Sequence, residues 1–318
     1  MKKNLPIVLT SVIVLTLSIL SLVFTSYTLS ENQLSTLWIL FIICGSSVLY
    51  CFIVGEVANN YSQMDKLWSI LPIAYAWVIT ARSGMNIRMI IASVIITLWG
   101  IRLTFNFARK GAYSIKFWTG EEDYRWRIVK SNKIFSTRLR WAMFDLFFIS
   151  LYQNVLILCI CLPLLAGMES SLSINWIDYL AIGISVFFLL LEVIADEEQW
   201  KFQETKKKQI KERGSLDKCD SPYNLGFNTT GLWGYMRHPN YLGEQGLWVG
   251  IYIFAIASGV CVYGIFHWSI IGCLFLIFLF LGSSTLGESI SSKKYPLYKE
   301  YIDRVFKYLP IRRYKNKE

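Results

Sequence analysis

Arg237-His238-Pro239-Asn240-Tyr241-Leu242-Gly243-Glu244 stands where a charged stretch runs into an apolar segment that continues to about residue 260. Five polar side chains fall within these eight residues. Unpaired polar groups are costly in lipid, so a cluster at the mouth of a membrane helix marks a functional site, while a helix cap with a snorkelling arginine is the plainer alternative. Pro239 suits a first helical turn, where its missing N–H costs nothing. The following turn then offers free N–H groups and the positive end of the helix dipole to an anion. Asn240, Tyr241 and Glu244 share one face of that helix.

The rest of the chain repeats this alternation of apolar span and charged loop. Of 318 residues, 54% are hydrophobic and 16% aromatic. A spanning helix needs about 20 mostly apolar residues. Eight stretches fit: roughly 5–29, 35–57, 67–82, 87–107, 142–166, 174–196, 240–260 and 266–288. The third is short and contains Pro72. The expected fold is an all-α integral membrane protein, a bundle of about eight transmembrane helices. The first span follows Lys2 and Lys3 but is too long for a signal-peptide core, and reads as a retained helix.

With the N-terminus inside, the cytoplasmic side receives residues 1–4, 58–66, 108–141, 197–239 and 289–318. These segments hold 29 of the 32 Lys and Arg; Arg82 and Arg88 fall outside and Arg102 within the fourth span. The positive-inside rule therefore places both termini in the cytoplasm. The net charge of +10 has a membrane explanation, and no nucleic-acid partner is implied. The basic run Lys206-Lys207-Lys208 suits an anionic leaflet, and the aromatic, mixed-charge stretch Phe117 to Trp126 suits the membrane surface. Six of the seven cysteines lie in apolar spans and suggest no disulfide framework. His238 and His267 have no zinc-spaced neighbours. Neither G-x-G-x-x-G nor G-x-x-x-x-G-K-[ST] occurs, so a nucleotide would need another kind of site.

Ionisable residues also fall in or beside the spans. Glu192 and Asp196, one turn apart near the end of the sixth, meet an unfavourable helix dipole and need a cation or hydrogen-bond donors; Arg237 and ribose hydroxyls are candidates. Arg102 and Asn106 form another i, i+4 pair, able to clamp a phosphate or to satisfy Asp145 or Glu56. Glu56, at the end of the second span, either reaches for water or, if apolar surroundings keep it protonated, donates to a carbonyl.

The Arg237–Glu244 stretch resembles the signature shared by membrane sterol reductases, steroid 5-alpha-reductases and isoprenylcysteine carboxyl methyltransferases. Asp65 to Ile70, Leu98 to Arg109, Phe117 to Trp126, Asp145 to Asn154, Ala195 to Trp200, Gly226 to Trp233 and Lys294 to Tyr298 are similar to a steroid 5-alpha-reductase-like branch. The resemblance runs from about residue 55 onward. It implies an N-terminal two-helix region, 1–57, and a catalytic domain, 58–318, with a cofactor site in 190–300. It also implies NADPH-dependent reduction of a carbon–carbon double bond conjugated to a carbonyl in a steroid-like or other lipid. Asn240 and Glu244 match cofactor-contacting positions and Asp196 an acidic position there, with Arg237, His238 and Tyr241 as neighbours; Glu192 and Arg102 join the candidate cofactor-binding set. Glu56 matches the glutamate of a Glu–Tyr pair that polarises the substrate carbonyl, with no tyrosine assignable.

Two alternatives stay open. One is an S-adenosylmethionine-dependent membrane methyltransferase, whose last span carries Arg-Ile-x-x-Glu-Glu; here Gly282 to Ser289 has one glutamate and no arginine. The other is a non-enzymatic lipid-binding membrane protein. The host membrane would be a bacterial inner membrane or the endoplasmic reticulum.

Overall fold

The computed structural model describes residues 5–25, 28–262 and 264–314. Lys2, Lys3 and the two chain ends, on which the expected orientation partly rests, lie outside the described residues. Twelve α-helices are found among the described residues: α1 (Leu5–Val23), α2 (Glu31–Ala58), α3 (Gln63–Leu67), α4 (Leu71–Arg82), α5 (Ile87–Ala108), α6 (Tyr124–Lys130), α7 (Arg138–Phe144), α8 (Gln153–Gly167), α9 (Trp176–Arg213), α10 (Pro239–Ala257), α11 (Ile271–Lys294) and α12 (Tyr298–Arg304). Among the same residues there is no strand, only an isolated parallel bridge between Met236 and Phe306.

Five helical segments are long and apolar enough to cross a membrane: Glu31–Ala58, Ile87–Ala108, Arg138–Gly167, Trp176–Arg213 and Trp268–Lys294. Each of the eight expected apolar stretches carries a helix, and three of those helices are not among these five. The third is short for a local reason. Residues 68–70 separate α3 from α4, and Pro72 sits in the first turn of α4, leaving 12 residues. Such a helix is about 18 Å long. The sixth expected span runs further than its apolar pattern: α9 continues to Arg213, well beyond Asp196 and through much of the stretch read as a loop. The fifth starts earlier, at Arg138, and carries a π-helical segment, Asp145–Tyr152, between α7 and α8.

The chain divides into two compact units. The larger comprises residues 12–182 and 250–276. Its core includes Leu40, Tyr75, Ile79, Met89, Trp99 and Ile157. Ser30 and Gln33 close a capping box at the start of α2, and the Gln33 amide also donates to the carbonyls of Leu165 and Ala166. At the start of α5, Arg88 is fully buried and joined twice to Asp178 in the first turn of α9, at 2.6 and 2.9 Å. Its remaining donors meet Ser170 and the carbonyls of Leu172 and Ser173. Pro163 within α8 has no N–H for the Cys159 carbonyl. Gly272 packs against that point so closely that a Cβ there would overlap the Cys159 carbonyl group.

The aromatic loop expected to lie on the membrane surface also folds back onto α3. Lys66 is buried and donates to the carbonyls of Phe117 and Thr119 at 2.8 and 2.7 Å. Gln63, Asn60, Ser62 and Asp65 bond Trp118, Gly120, Asp123 and Trp126 in turn. Burial, helped by the neighbouring Asp123, pushes the Asp65 carboxyl above its usual range.

The smaller unit comprises, among the described residues, 5–11, 183–249 and 277–314. Its centre is an aromatic cluster of Phe227, Tyr298, Tyr301 and Tyr314 with Val305. The segment after α12 pairs with the approach to α10. Arg237 and His238 donate their N–H groups to the carbonyls of Phe306 and Lys307, and Tyr314 donates to Gly234. Among the described residues no disulfide joins any of the seven cysteines.

Candidate functional site

In the smaller unit, α9 carries Glu192, Ala195, Asp196 and Gln199 at i, i+3, i+4 and i+7, one helical stripe. Gly243 of α10 lies against the top of that stripe; a Cβ there would stand 2.8 Å from Glu192 Cβ and 2.9 Å from the Phe188 carbonyl oxygen. Gly246, one turn further, meets the Phe188 ring in the same way. Glycine is what lets α10 approach α9 beside the acidic stripe. Lower down, the loop before α10 crosses α9: Trp233 Nε1 donates to the Ala195 carbonyl (2.9 Å) and the Leu232 N–H to Glu198 Oε2 (2.8 Å).

Pro239 is the first residue of α10, as its sequence position suggests. The start of that helix is fixed by an ion cluster. Glu288 Oε1, on α11, accepts from Arg237 Nε at 2.8 Å and from His238 Nε2 at 2.9 Å. Arg237 Nη1 donates to the carbonyls of Ile302 and Val305. Lys307 completes the cluster, 3.0 Å from Ser284 Oγ and 3.9 Å from Glu288 Oε2. The His238 ring stacks on Tyr241, which also packs on Phe280. Burial holds the His238 pKa below its usual value although Glu288 pulls it up. The neutral ring therefore carries its proton on Nε2, facing the carboxylate.

This arrangement corrects one expectation. Arg237 is not the cation that meets Glu192 and Asp196; its donors are committed to Glu288 and the end of α12. Glu288 lies 51 residues away in the chain, and in the sequence it is only a lone carboxylate in an apolar span. Glu192, His238 and Glu244 are buried, Asp196 half-buried. Asn240 Oδ1 is buried without a hydrogen-bond partner among the described residues. Such an acceptor calls for a donor from outside the chain. Glu192 and Asp196 of α9 and Asn240 and Glu244 of α10 thus lie on the two helices that Gly243 brings together.

Glu56 and Arg102 belong to the larger unit. Glu56, at the end of α2, is neighboured by Asp145, the first residue of the π-helical segment. Glu56 Oε1 and Asp145 Oδ2 are both buried without hydrogen-bond partners among the described residues. Tyr61 lies beside them, its ring 3.7 Å from the place of a Cβ on Gly55, which would itself stand 3.5 Å from Asp145 Oδ2. The Tyr61 hydroxyl accepts from Lys130 at 3.1 Å. Arg102 and the buried Asn106 stand one turn apart on α5. Neither the Tyr61–Lys130 pair nor the closeness of Asp145 to Glu56 has a signal in the sequence, since each joins residues far apart in the chain.

Helices of this length and hydropathy define a multi-pass membrane protein. Residues 51–305 match the family model DUF1295, described as a protein of unknown function, and the chain belongs to that family. It is also 36% identical over 287 residues to an uncharacterized protein of Schizosaccharomyces pombe, covering 83% of this chain and 78% of that one. No solved structure matches.

Proposed function

We propose that this protein is a membrane-embedded reductase that uses NADPH to saturate a carbon–carbon double bond conjugated to a carbonyl in a steroid-like or other lipid. In this proposal all eight apolar stretches cross the bilayer, the third by α3 and α4 together, and both chain ends face the cytoplasm. The observation that carries it is the buried, unpartnered Asn240 Oδ1 beside an acidic stripe, on a helix start held rigid by Arg237, His238 and Glu288. The likeness of the Arg237–Glu244 stretch to the steroid 5-alpha-reductase signature supports the same chemistry.

NADPH, when bound, supplies the hydride that adds to the carbon β to the carbonyl, while a proton adds at the α-carbon. The chain's own residues bind and orient. Asn240, Glu192, Asp196 and Glu244 accept hydrogen bonds from the cofactor's hydroxyl and amide groups, and the Glu288 cluster keeps the first turn of α10 from shifting. For Glu56, in the larger unit, the resemblance implies a donor role toward a substrate carbonyl oxygen, where charge gathers as such a bond is reduced.

Thermal-shift measurements on detergent-purified protein with NADPH, NADH and S-adenosylmethionine test this. Stabilisation by NADPH that Asn240→Ala removes is the expected result, with Glu56→Gln lowering turnover of an enone lipid while NADPH affinity holds. Stabilisation by S-adenosylmethionine instead would make the protein a methyltransferase, and no response to any of the three would favour a lipid-binding role without catalysis.

A further inference from the structure

Two other amide side chains in the smaller unit share the condition of Asn240. Gln199 Oε1 and Asn228 Nδ2 are buried without a hydrogen-bond partner among the described residues, and Asn228 as a whole is 3% exposed. Neither is among the site residues that the sequence singles out. Both stand at the junction of α9 with the loop that precedes α10. Ala195, Glu198 and Gln199 share a face of α9 at i, i+3 and i+4. The loop lies on that face, tied by Trp233 to Ala195 and by Leu232 to Glu198. Gly231 comes so near that a Cβ there would overlap the Glu198 carboxylate.

The orientation of Asn228 is fixed from its other end. Its Oδ1 accepts from the Thr230 N–H at 2.9 Å and from the Thr230 hydroxyl at 2.8 Å, so the amide nitrogen is directed away from that turn. A donor is thereby held in place on the loop and an acceptor on α9, each already out of water. Ordering and desolvation, which usually weaken a new hydrogen bond, have been met in folding. A phosphate would meet the wrong sign at Gln199 Oε1, and a hydrocarbon chain would satisfy neither group.

We propose that Gln199 and Asn228 form an amide-reading subsite, which takes a neutral planar group presenting a donor and an acceptor along one edge. This rests on the reductase reading, and a nicotinamide dinucleotide offers such an edge twice, in the carboxamide of its nicotinamide and in the amino–imine edge of its adenine.

Isothermal titration of the full-length protein in detergent with NADPH, reduced nicotinamide mononucleotide and 2′-phospho-ADP-ribose separates the possibilities. Gln199→Leu removes the acceptor at similar volume. Asn228→Asp keeps the bonds to Thr230 and removes the donor. Each is expected to weaken NADPH about tenfold or more, to weaken one fragment in parallel, and to leave the other fragment unchanged. Loss on the mononucleotide assigns the subsite to the carboxamide, and loss on 2′-phospho-ADP-ribose assigns it to adenine. Unchanged NADPH affinity in both variants, with wild type binding, overturns the subsite and leaves the reductase reading standing. Equal loss on both fragments also overturns it, as a general disturbance of the fold. Failure of the wild type to bind NADPH overturns both.

Discussion

His238 is a base placed where a proton is unwelcome. In an unfolded chain its imidazole titrates near 6.5; in the fold, burial lowers that value, and the hydrogen bond from its Nε2 to Glu288 recovers only part of it. Between the two values the unfolded chain binds more protons than the folded one, so stability rises with pH there. The contribution is complete above about 6.5 and is lost as pH falls through the lowered value. The His238 share of the melting temperature should therefore be lost as pH is taken from 7.5 to 5, so that His238→Gln loses less than the wild type over that range. A variant whose melting temperature follows pH as the wild type's does would contradict this placement of His238. The sequence shows Arg237, His238 and Asn240 as a set because they are adjacent and punctuated by a proline. It hides Glu288, since nothing local distinguishes a carboxylate that closes an ion cluster from one that merely faces a cavity.

At the scale of the helix, close approaches are made by glycine and each has a definite partner. Gly272 of α11 meets the Cys159 carbonyl, which Pro163 leaves without its usual donor. Gly272→Ala forces that backbone contact apart and should cost about 1–3 kcal/mol. Gly287→Ala, on the same helix with open space around it, should be neutral or slightly stabilising. Melting of the two variants side by side checks this, and equal effects would show that the close contact does not matter. Helix positions follow from apolar runs longer than any soluble helix needs, which is why a helix stands in every expected stretch. Their ends follow from particulars that composition averages away. Pro72 shortens α4. Charged but helix-favouring residues such as Lys206, Lys207 and Lys208 carry α9 well past its apolar part. The π-helical segment at Asp145–Tyr152 has no signal in hydrophobic periodicity, because apolar residues fall on every side of it.

For the molecule as a whole, the distribution of 29 of 32 basic residues predicts an orientation that labelling can check. In a variant whose native cysteines are replaced, single cysteines at Gly84 and at Lys116 should differ. A membrane-impermeant maleimide applied to intact cells or sealed right-side-out vesicles should modify the first alone, and permeabilisation should expose the second. The reverse pattern would invert the topology. Charge counting sums over loops without regard to what each residue does; it treats Lys66 and Arg88 as water-facing, yet both are buried and engaged. Arg88 has consequences for biogenesis. Its partner Asp178 lies 90 residues further along the chain, which at ordinary rates of synthesis means a delay of roughly 5–20 s. During that interval the start of α5 bears an unmatched cation at the positive end of a helix dipole, and headgroups or water are its best surroundings. The arrival of α9 supplies the counter-charge and turns the arginine into half of a neutral, twice-bonded unit. The spacing of these two residues thus sets an order of events, in which the first turn of α5 settles only after α9 has been made.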